Sequence, residues 1–203
     1  MEFKTDQEIF WAGEFGNEYI KRNQNETDFI SNIALFSKIF SHTNSISSFL
    51  ELGSNIGLNL KAIKTLMPKA QLSAIEINSS AIEELKKIKD ITVYHSSILD
   101  FIPNTTYDFV FIKTVLIHIN PDELPKAYEL LYKSANRYIC IAEYYNPTPV
   151  QIKYRGHEDK LFKRDFAGEI MELYKDLKLL DYGFVYHGDA FPQDDITWFL
   201  LVK

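Results

Sequence analysis

The stretch Ser47-Ser48-Phe49-Leu50-Glu51-Leu52-Gly53-Ser54-Asn55-Ile56-Gly57 decides the fold. Ser47 to Leu52 is short, partly apolar and ends at a glycine, which reads as a strand. Ile56 to Leu66 is helical, with Pro68 just past its end. A strand that passes through a glycine-bearing turn into a helix opens a βαβ unit. Downstream the alternation continues. Leu72–Ile77 is a strand, Asn78 caps a helix to Lys87, and Ile91–Tyr94 is a strand. Tyr107–Ile112 is apolar apart from Asp108, as befits a strand buried on both faces. Asn120-Pro121-Asp122-Glu123 combines an N-cap, a proline at the first helical position and an acid at the third. That helix reaches Lys133, and Tyr138–Ala142 is the next strand. Asp165 caps a helix to Tyr174. Leu179–Tyr186 and Ile196–Val202, joined by the loop His187–Asp195, predict an antiparallel hairpin. Upstream, Thr5 and Glu8 have capping-box spacing and start a helix. Thr27 to Phe40 carries Phe29, Ile30, Ile33, Phe36, Ile39 and Phe40 on one helical face. The expectation is a single α/β domain over 1–203: a helical cap, 1–45, and a core with a largely parallel sheet, 46–203.

Composition narrows the function. The 203 residues are 46% hydrophobic and 25% charged, an ordinary globular balance. Fifteen Phe, twelve Tyr and two Trp leave aromatics to line a pocket as well as a core. The net charge of −6 is unsuited to tracking a phosphate backbone, so no nucleic-acid partner is expected. No apolar run is long enough to span a membrane, and the start Met-Glu-Phe-Lys-Thr-Asp lacks a signal pattern. The single cysteine, Cys140, forms neither an internal disulfide nor a cysteine metal site. A cytoplasmic location is the expectation.

In a doubly wound sheet the ligand sits at the carboxyl ends of the strands, beside the first strand–helix turn. Gly53 and Gly57 let the backbone pass close beneath a ligand. Ser54 and Asn55 complete the loop, and Asn tolerates positive φ. Glu76, with Ile77 after it, ends the next strand, where a carboxylate can accept both hydroxyls of a ribose. To this point NAD and S-adenosyl-L-methionine fit alike. Three features favour the second. Gly-x-x-x-Gly is not the Gly-x-Gly-x-x-Gly of a pyrophosphate cradle. Glu51 places a negative charge at the loop entrance, hostile to a diphosphate and suited to the cationic amino end of a methionine moiety. The terminal hairpin is typical of methyltransferase sheets.

Residues 47–202 thus resemble class I S-adenosylmethionine-dependent methyltransferases. Longer stretches extend the resemblance over nearly the whole chain: Phe10-Trp11-Ala12-Gly13-Glu14-Phe15-Gly16-Asn17-Glu18-Tyr19-Ile20, Ala142-Glu143-Tyr144-Tyr145-Asn146-Pro147-Thr148-Pro149, Tyr154-Arg155-Gly156-His157 and Phe191-Pro192-Gln193-Asp194-Asp195. They are similar to the pseudaminic acid biosynthesis-associated methylase family, with Asn17 where members often have Asp and Ser96 where they often have Gly. The resemblance implies a Rossmann-like fold with a seven-stranded mixed sheet in the order 3-2-1-4-5-7-6, only the last strand antiparallel. It implies a bacterial enzyme that methylates an oxygen or nitrogen of a small acceptor, an anionic or amino sugar of nonulosonic (pseudaminic) acid or related glycan synthesis. An N-methyltransferase of another small amine, or a non-catalytic cofactor-binding partner protein, stays open beside it.

The resemblance also implies roles for single residues. Trp11, Tyr19 and Arg22 lie at helical spacing, and similar methyltransferases use such a cap to hold the methionine carboxylate, a task suited to the arginine fork. Ser97 and Ile98 fall in the turn that touches adenine, and Ser97 stands where an acid is usual. Lys113 and His118 follow the fourth strand, the usual methyl-transfer edge. A hydroxyl acceptor needs a base, and histidine, with an unperturbed pKa near 6.5, is the candidate. His118 is preferred, with His157, paired to Asp194 or Asp195, and Glu143 as alternatives. Tyr144, Tyr145, Asn146, Arg155, Lys160 and Asp194 are the acceptor-side candidates, and Arg155, Lys160 and Lys163 form a local positive patch. No compact spacing such as His-x-x-x-His is present, so no metal site is expected.

Overall fold

Strand β1, Ser48–Leu52, alternates its side chains between two buried faces. Phe49 points to one core and Leu50 and Leu52 to the other, all fully buried. A computed structural model describes residues 2–22 and 25–203 and shows what covers each face. On one side Phe49, Phe109, Phe111, Tyr138, Cys140 and Trp198 meet Phe36, Ile39, Leu60 and Ile63 of helices α3 (Glu26–Phe40) and α4 (Leu58–Leu66). On the other Leu50, Val110, Ile112, Ile139 and Ile141 meet Leu124, Tyr128 and Leu131 of α6 (Leu124–Ser134) and Phe166 and Ile170 of α7 (Phe166–Leu173). Burial on both faces is why β4 (Tyr107–Lys113) and β5 (Ala135–Glu143) read as continuous apolar runs. Asp108, the polar exception, accepts from Ser47 N at 2.9 Å and Ser47 Oγ at 2.7 Å, tying the start of β4 to that of β1.

The remaining strands are β2 (Gln71–Glu76), β3 (Ile91–His95), β8 (Lys178–Val185) and β9 (Ile196–Val202). The seven-stranded sheet runs β3-β2-β1-β4-β5-β9-β8. This is the expected 3-2-1-4-5-7-6 order once two short strands, β6 (Val150–Gln151) and β7 (Phe162–Lys163), are set aside as a separate ribbon. Only β9 is antiparallel, to β5 and to β8. No helix among the described residues is long and apolar enough to cross a membrane.

Three departures from expectation bear on the site, each for a local reason. The helix after β1 starts at Leu58, not Ile56, because Asn55 and Gly57 take φ of 46° and 76° and hold the chain out of helix. Ile56 instead packs with Ile20 and Ala81. The cap is not one helix but two, α1 (Asp6–Ala12) and α2 (Glu14–Arg22), broken at the extended Gly13. The common face drawn through Trp11, Tyr19 and Arg22 therefore does not exist as a single helical stripe. The β6–β7 ribbon escaped the sequence because its strands are two residues long and flanked by Pro147 and Pro149.

Asn78 joins the cap to the core. Its Oδ1 accepts from Ser80 N at 2.9 Å and Ala81 N at 3.0 Å, capping α5 (Ser79–Leu85). Its Nδ2 donates to Trp11 O at 3.1 Å and Asn17 Oδ1 at 3.0 Å. Asn78→Ala should lower stability by about 1–2 kcal/mol through the lost helix cap, read by denaturant unfolding. Asn78→Asp keeps the acceptor and loses the donors, so most of that stability should stay while amides of residues 6–22 exchange faster. Unchanged exchange in Asn78→Asp would show that these donors do not hold the cap.

Candidate active site

A cavity of about 520 Å³ opens at the carboxyl ends of β1, β2, β3 and β4, roofed by the cap. Its floor is the turn after β1. Gly53, at φ 74°, occupies the left-handed region, and a Cβ there would lie 2.7 Å from Val115. At Gly57 a Cβ would lie 2.5 Å from Ile88. Both glycines are therefore required by φ and by neighbouring side chains of the protein. Gly57 does not line the cavity, whereas Gly53, Ser54 and Asn55 do.

Glu76 ends β2 at the cavity wall and is almost fully buried. Its Oε2 accepts from Asn55 N at 2.7 Å, and its Oε1 accepts from Ile77 N at 2.9 Å and Asn78 N at 2.8 Å. Burial raises its pKa, and the backbone donors oppose the rise. Oε1 thus accepts twice, and Oε2, with a single bond, keeps accepting capacity.

The turn after β4 is held from behind. Thr114 adopts φ 54°, rare for a β-branched residue. Glu143 Oε1 accepts from Val115 N and Leu116 N, both at 2.9 Å, and fixes the strained turn. Burial pushes the Glu143 carboxyl up to about 7. Glu143 does not line the cavity, so it supports the turn instead of facing an acceptor. Lys113 does line it. Burial pulls its pKa below the ordinary value, while Glu51, Asp28, Glu143 and Asp194 pull it back.

His118 lines the cavity with its ring against Trp11 and Tyr154, at 4.6 and 4.9 Å between centroids. Its Nδ1 lies 2.5 Å from the Lys160 carbonyl. A carbonyl can only accept, so Nδ1 carries the proton and Nε2 is left as an acceptor. Burial lowers the His118 pKa to about 4. The sequence placed it near 6.5, so His118 is neutral at physiological pH and a weaker base than expected.

Several candidates lie elsewhere. Arg22, at the last position of α2, is exposed, with its guanidinium 5.2 Å from the Phe15 ring centre. Glu51 lies beneath the floor and accepts from Asn59 Nδ2 at 2.6 Å. Exposed His157 packs on Phe10 and Phe15, at 5.0 and 5.7 Å. It pairs with neither aspartate: Asp195 binds His187 at 2.8 Å and Asp194 accepts from the Tyr144 hydroxyl. The Lys160 amine sits 5.5 Å over Phe10, and the Lys163 amine 5.1 Å over Tyr144. Tyr145 is exposed and Asn146 binds Thr148 within its own loop. Trp11, Tyr19, Ile77, Ser97, Ile98, Tyr144, Arg155 and Asp194 all line the cavity. Burial pushes the Tyr19 hydroxyl up to about 12.

Sequence reasoning missed Gln7, Glu8, Asp28, Asn32, Asn59 and Gln193, which also line it. In the sequence Glu8 reads only as a capping partner, and α3 only as a core helix. Among the described residues, no group of three His, Cys, Asp or Glu converges to hold a metal.

No protein-family model and no curated protein matches the chain. Solved structures do. The plantazolicin methyltransferase BpumL, in complex with a pentazolic desmethylPZN analog and SAH, is 16% identical, with 97% of this chain and 94% of that one covered at a TM-score of 0.70. The N-methyltransferase NodS from Bradyrhizobium japonicum is 16% identical over 89% of this chain and 98% of its own, at 0.65. The Burkholderia thailandensis 1,6-didemethyltoxoflavin-N1-methyltransferase, with its namesake ligand and S-adenosylhomocysteine bound, is 10% identical over 100% and 92%, at 0.73. The likeness establishes the fold: this chain has the Rossmann-like architecture of class I methyltransferases.

The buried acid Glu51 gives a test of the site's electrostatics. Burial, opposed by Asn59 and Lys113, lifts it from 4.5 to about 8. Across that window the folded chain binds more protons than the unfolded one, so this group's contribution makes stability fall as pH rises. Glu51→Gln keeps an acceptor for Asn59 and has no charge to bury. Its melting temperature should rise relative to wild type from pH 5 to pH 8, the whole excursion being worth on the order of 3–5 kcal/mol. A difference that stays flat with pH would show that Glu51 is ionised without penalty.

Proposed function

We propose that the chain transfers a methyl group from S-adenosyl-L-methionine to a nitrogen of a small, sugar-derived acceptor. The observation that carries the cofactor is Glu76. Three main-chain donors aim its buried carboxylate at the cavity edge, where Oε2, with one bond only, can accept from a ribose diol. Unpartnered buried polar atoms of the cavity-lining residues fit a polar ligand: Gln7 Oε1, Trp11 Nε1, Asn55 Oδ1 and Asn59 Oδ1. When bound, the cofactor supplies an electrophilic methyl on a sulfonium sulfur.

The chain's own residues do the rest by position. The Gly53–Asn55 floor and Lys113 border the methionine end, and Trp11 and Tyr19 cover it. Tyr144, Arg155, Asp28 and Asp194 also line the cavity and are the groups left to meet an acceptor. In-line displacement gains most from holding the acceptor atom opposite the sulfur. Nitrogen is favoured over oxygen because the one histidine in the cavity is held neutral, with a pKa near 4. A neutral amine attacks with its own lone pair and needs no strong base, whereas a hydroxyl does. Arg155, with Asp28 and Asp194, suits an amino sugar that also carries an anionic group. Nonulosonic sugars and their precursors are the acceptors to try first.

Two measurements test this reading. Calorimetry with S-adenosylhomocysteine should show binding by wild type and none of NAD. Glu76→Ala should weaken that binding by about 1–3 kcal/mol, the worth of charge-assisted bonds to a diol. No binding by wild type would end the cofactor assignment. Incubation with cofactor and candidate sugars should then give a product heavier by one methylene, roughly 14 Da from the chemistry of methyl transfer. A cofactor binder that turns over no acceptor would instead be a non-catalytic partner protein.

The pH profile separates the acceptor types. With an amine, turnover should follow deprotonation of the substrate, and His118→Ala should keep that profile with less than about a tenfold loss, under the 10²–10⁴ typical of a lost general base. An acid-side inflection, near pH 4 for His118 as buried here, that vanishes in His118→Ala would mark a hydroxyl acceptor and a histidine base.

A further inference from the structure

The carboxylate of Glu8 lies on the opposite side of the molecule's sequence from the strands that build the cavity, yet it forms part of the wall. Glu8 is in the first turn of α1 and is only 7% exposed. Its two oxygens are used unequally. Oε2 accepts from Lys4 N at 2.7 Å, Thr5 N at 2.9 Å and Thr5 Oγ1 at 3.3 Å, closing the capping box. Oε1 accepts only from Ser97 Oγ, at 2.5 Å. The Ser97 oxygen in turn accepts from Leu99 N at 3.0 Å, so its single proton points to Glu8. Oε1 therefore keeps capacity for a further donor, on a carboxylate already oriented by four bonds.

Its place along the cavity says which donor. Glu76 fixes the ribose at the end of β2. The reacting side lies toward β4, with His118, Tyr144 and Asp194. The base then lies on the other side, toward β3, whose His95 pairs with Glu76 across the sheet. At that end Ile77 and Ile98 offer apolar walls, and Ser97 and Glu8 offer the polar edge. Adenine presents an exocyclic amine, a donor, and a carboxylate oxygen is the strongest acceptor a side chain can offer it.

We propose that Glu8 recognises the exocyclic amine of the cofactor's adenine, so that the N-terminal cap, and not the turn after β3, selects the base. The acid missing at Ser97 is supplied from 89 residues away, and Ser97 serves to position it. This rests on the cofactor reading above. It also makes the cap a condition of cofactor binding, because the helix that carries Glu8 is the one that closes the roof.

The probe pair is S-adenosylhomocysteine and S-inosylhomocysteine, which differ in a carbonyl oxygen where adenine has its amine. Calorimetry on the full chain should show wild type preferring the adenosyl form by about 10- to 100-fold, the range for a charge-assisted bond. Glu8→Ala should bring the ratio close to one. Glu8→Gln gives a sharper reading. The main-chain donors of Lys4 and Thr5 hold the amide oxygen, which turns the amide NH₂ toward the base. The inosyl form should then gain and the adenosyl form lose. Thr5→Ala weakens the capping box from its other partner and should keep the wild-type ratio, because both probes need the cap equally. Equal affinity of wild type for the two probes, an unchanged ratio in Glu8→Gln, or a ratio erased by Thr5→Ala as fully as by Glu8→Ala would overturn the proposal. Binding of neither probe by wild type would instead remove the cofactor assignment.

Discussion

The Glu76 carboxylate is the joint on which the site depends. By collecting the amides of Asn55, Ile77 and Asn78 it ties the turn after β1 to the end of β2. Those amides sit in a cavity wall with no strand partner, and a buried N–H left unmade would cost about 1–3 kcal/mol each. One side chain satisfies all three. In doing so it fixes its own orientation, so the group that organises the loop also lines the cavity. The next residue but one, Asn78, carries the constraint outward to the cap through its bonds to Trp11 O and Asn17 Oδ1.

A second layer of buried charge stands behind the cavity. Glu51 below the floor and Glu143 behind the turn after β4 each keep one oxygen without a partner. Both are lifted by burial, to about 8 and about 7. Lys113, between them in the sheet, is lowered by the same cause. Neither acid reaches the cavity. Glu143 holds the strained Thr114 turn and thereby aims Val115 against Gly53, while Glu51 orients Asn59, which does reach it. Charged residues at the carboxyl ends of strands thus divide into those that line the cavity and those that support its wall, and only packing separates the two.

The cap is more than a cover. It brings Gln7, Glu8 and Trp11 into the cavity, and its break at Gly13 lets α2 fold back to place Tyr19 beside Trp11 at 5.2 Å between ring centres. Arg22, at the last position of α2, lies at the surface over Phe15. His118 is fixed from yet another quarter, by the Lys160 carbonyl on the segment leading to β7. Cap, sheet and ribbon therefore meet at one imidazole, whose tautomer depends on a backbone group 42 residues away.

The sequence alone determined the parts set by local pattern. Alternation of apolar runs and helical faces specified the strands and the main helices. The strand order came from the resemblance to class I methyltransferases, and the sheet has that order. Gly53, Ser54, Asn55 and Glu76 were legible as cavity residues because they sit at the carboxyl ends of β1 and β2, where such a fold opens its cavity. Only the tertiary structure decided which candidates face inward. The sequence spacing of Trp11, Tyr19 and Arg22 assumed a continuous helix that Gly13 breaks. His118 lost its ordinary titration to burial, which no spacing reveals. His157 met Phe10 and Phe15 and not an aspartate. Glu8 looked like a capping residue because its helical role is local, whereas its approach to Ser97 is made across 89 residues. Backbone conformation follows from neighbours in the chain. The direction of a side chain and the protonation of a buried group follow from neighbours in space, and those exist only once the chain has folded.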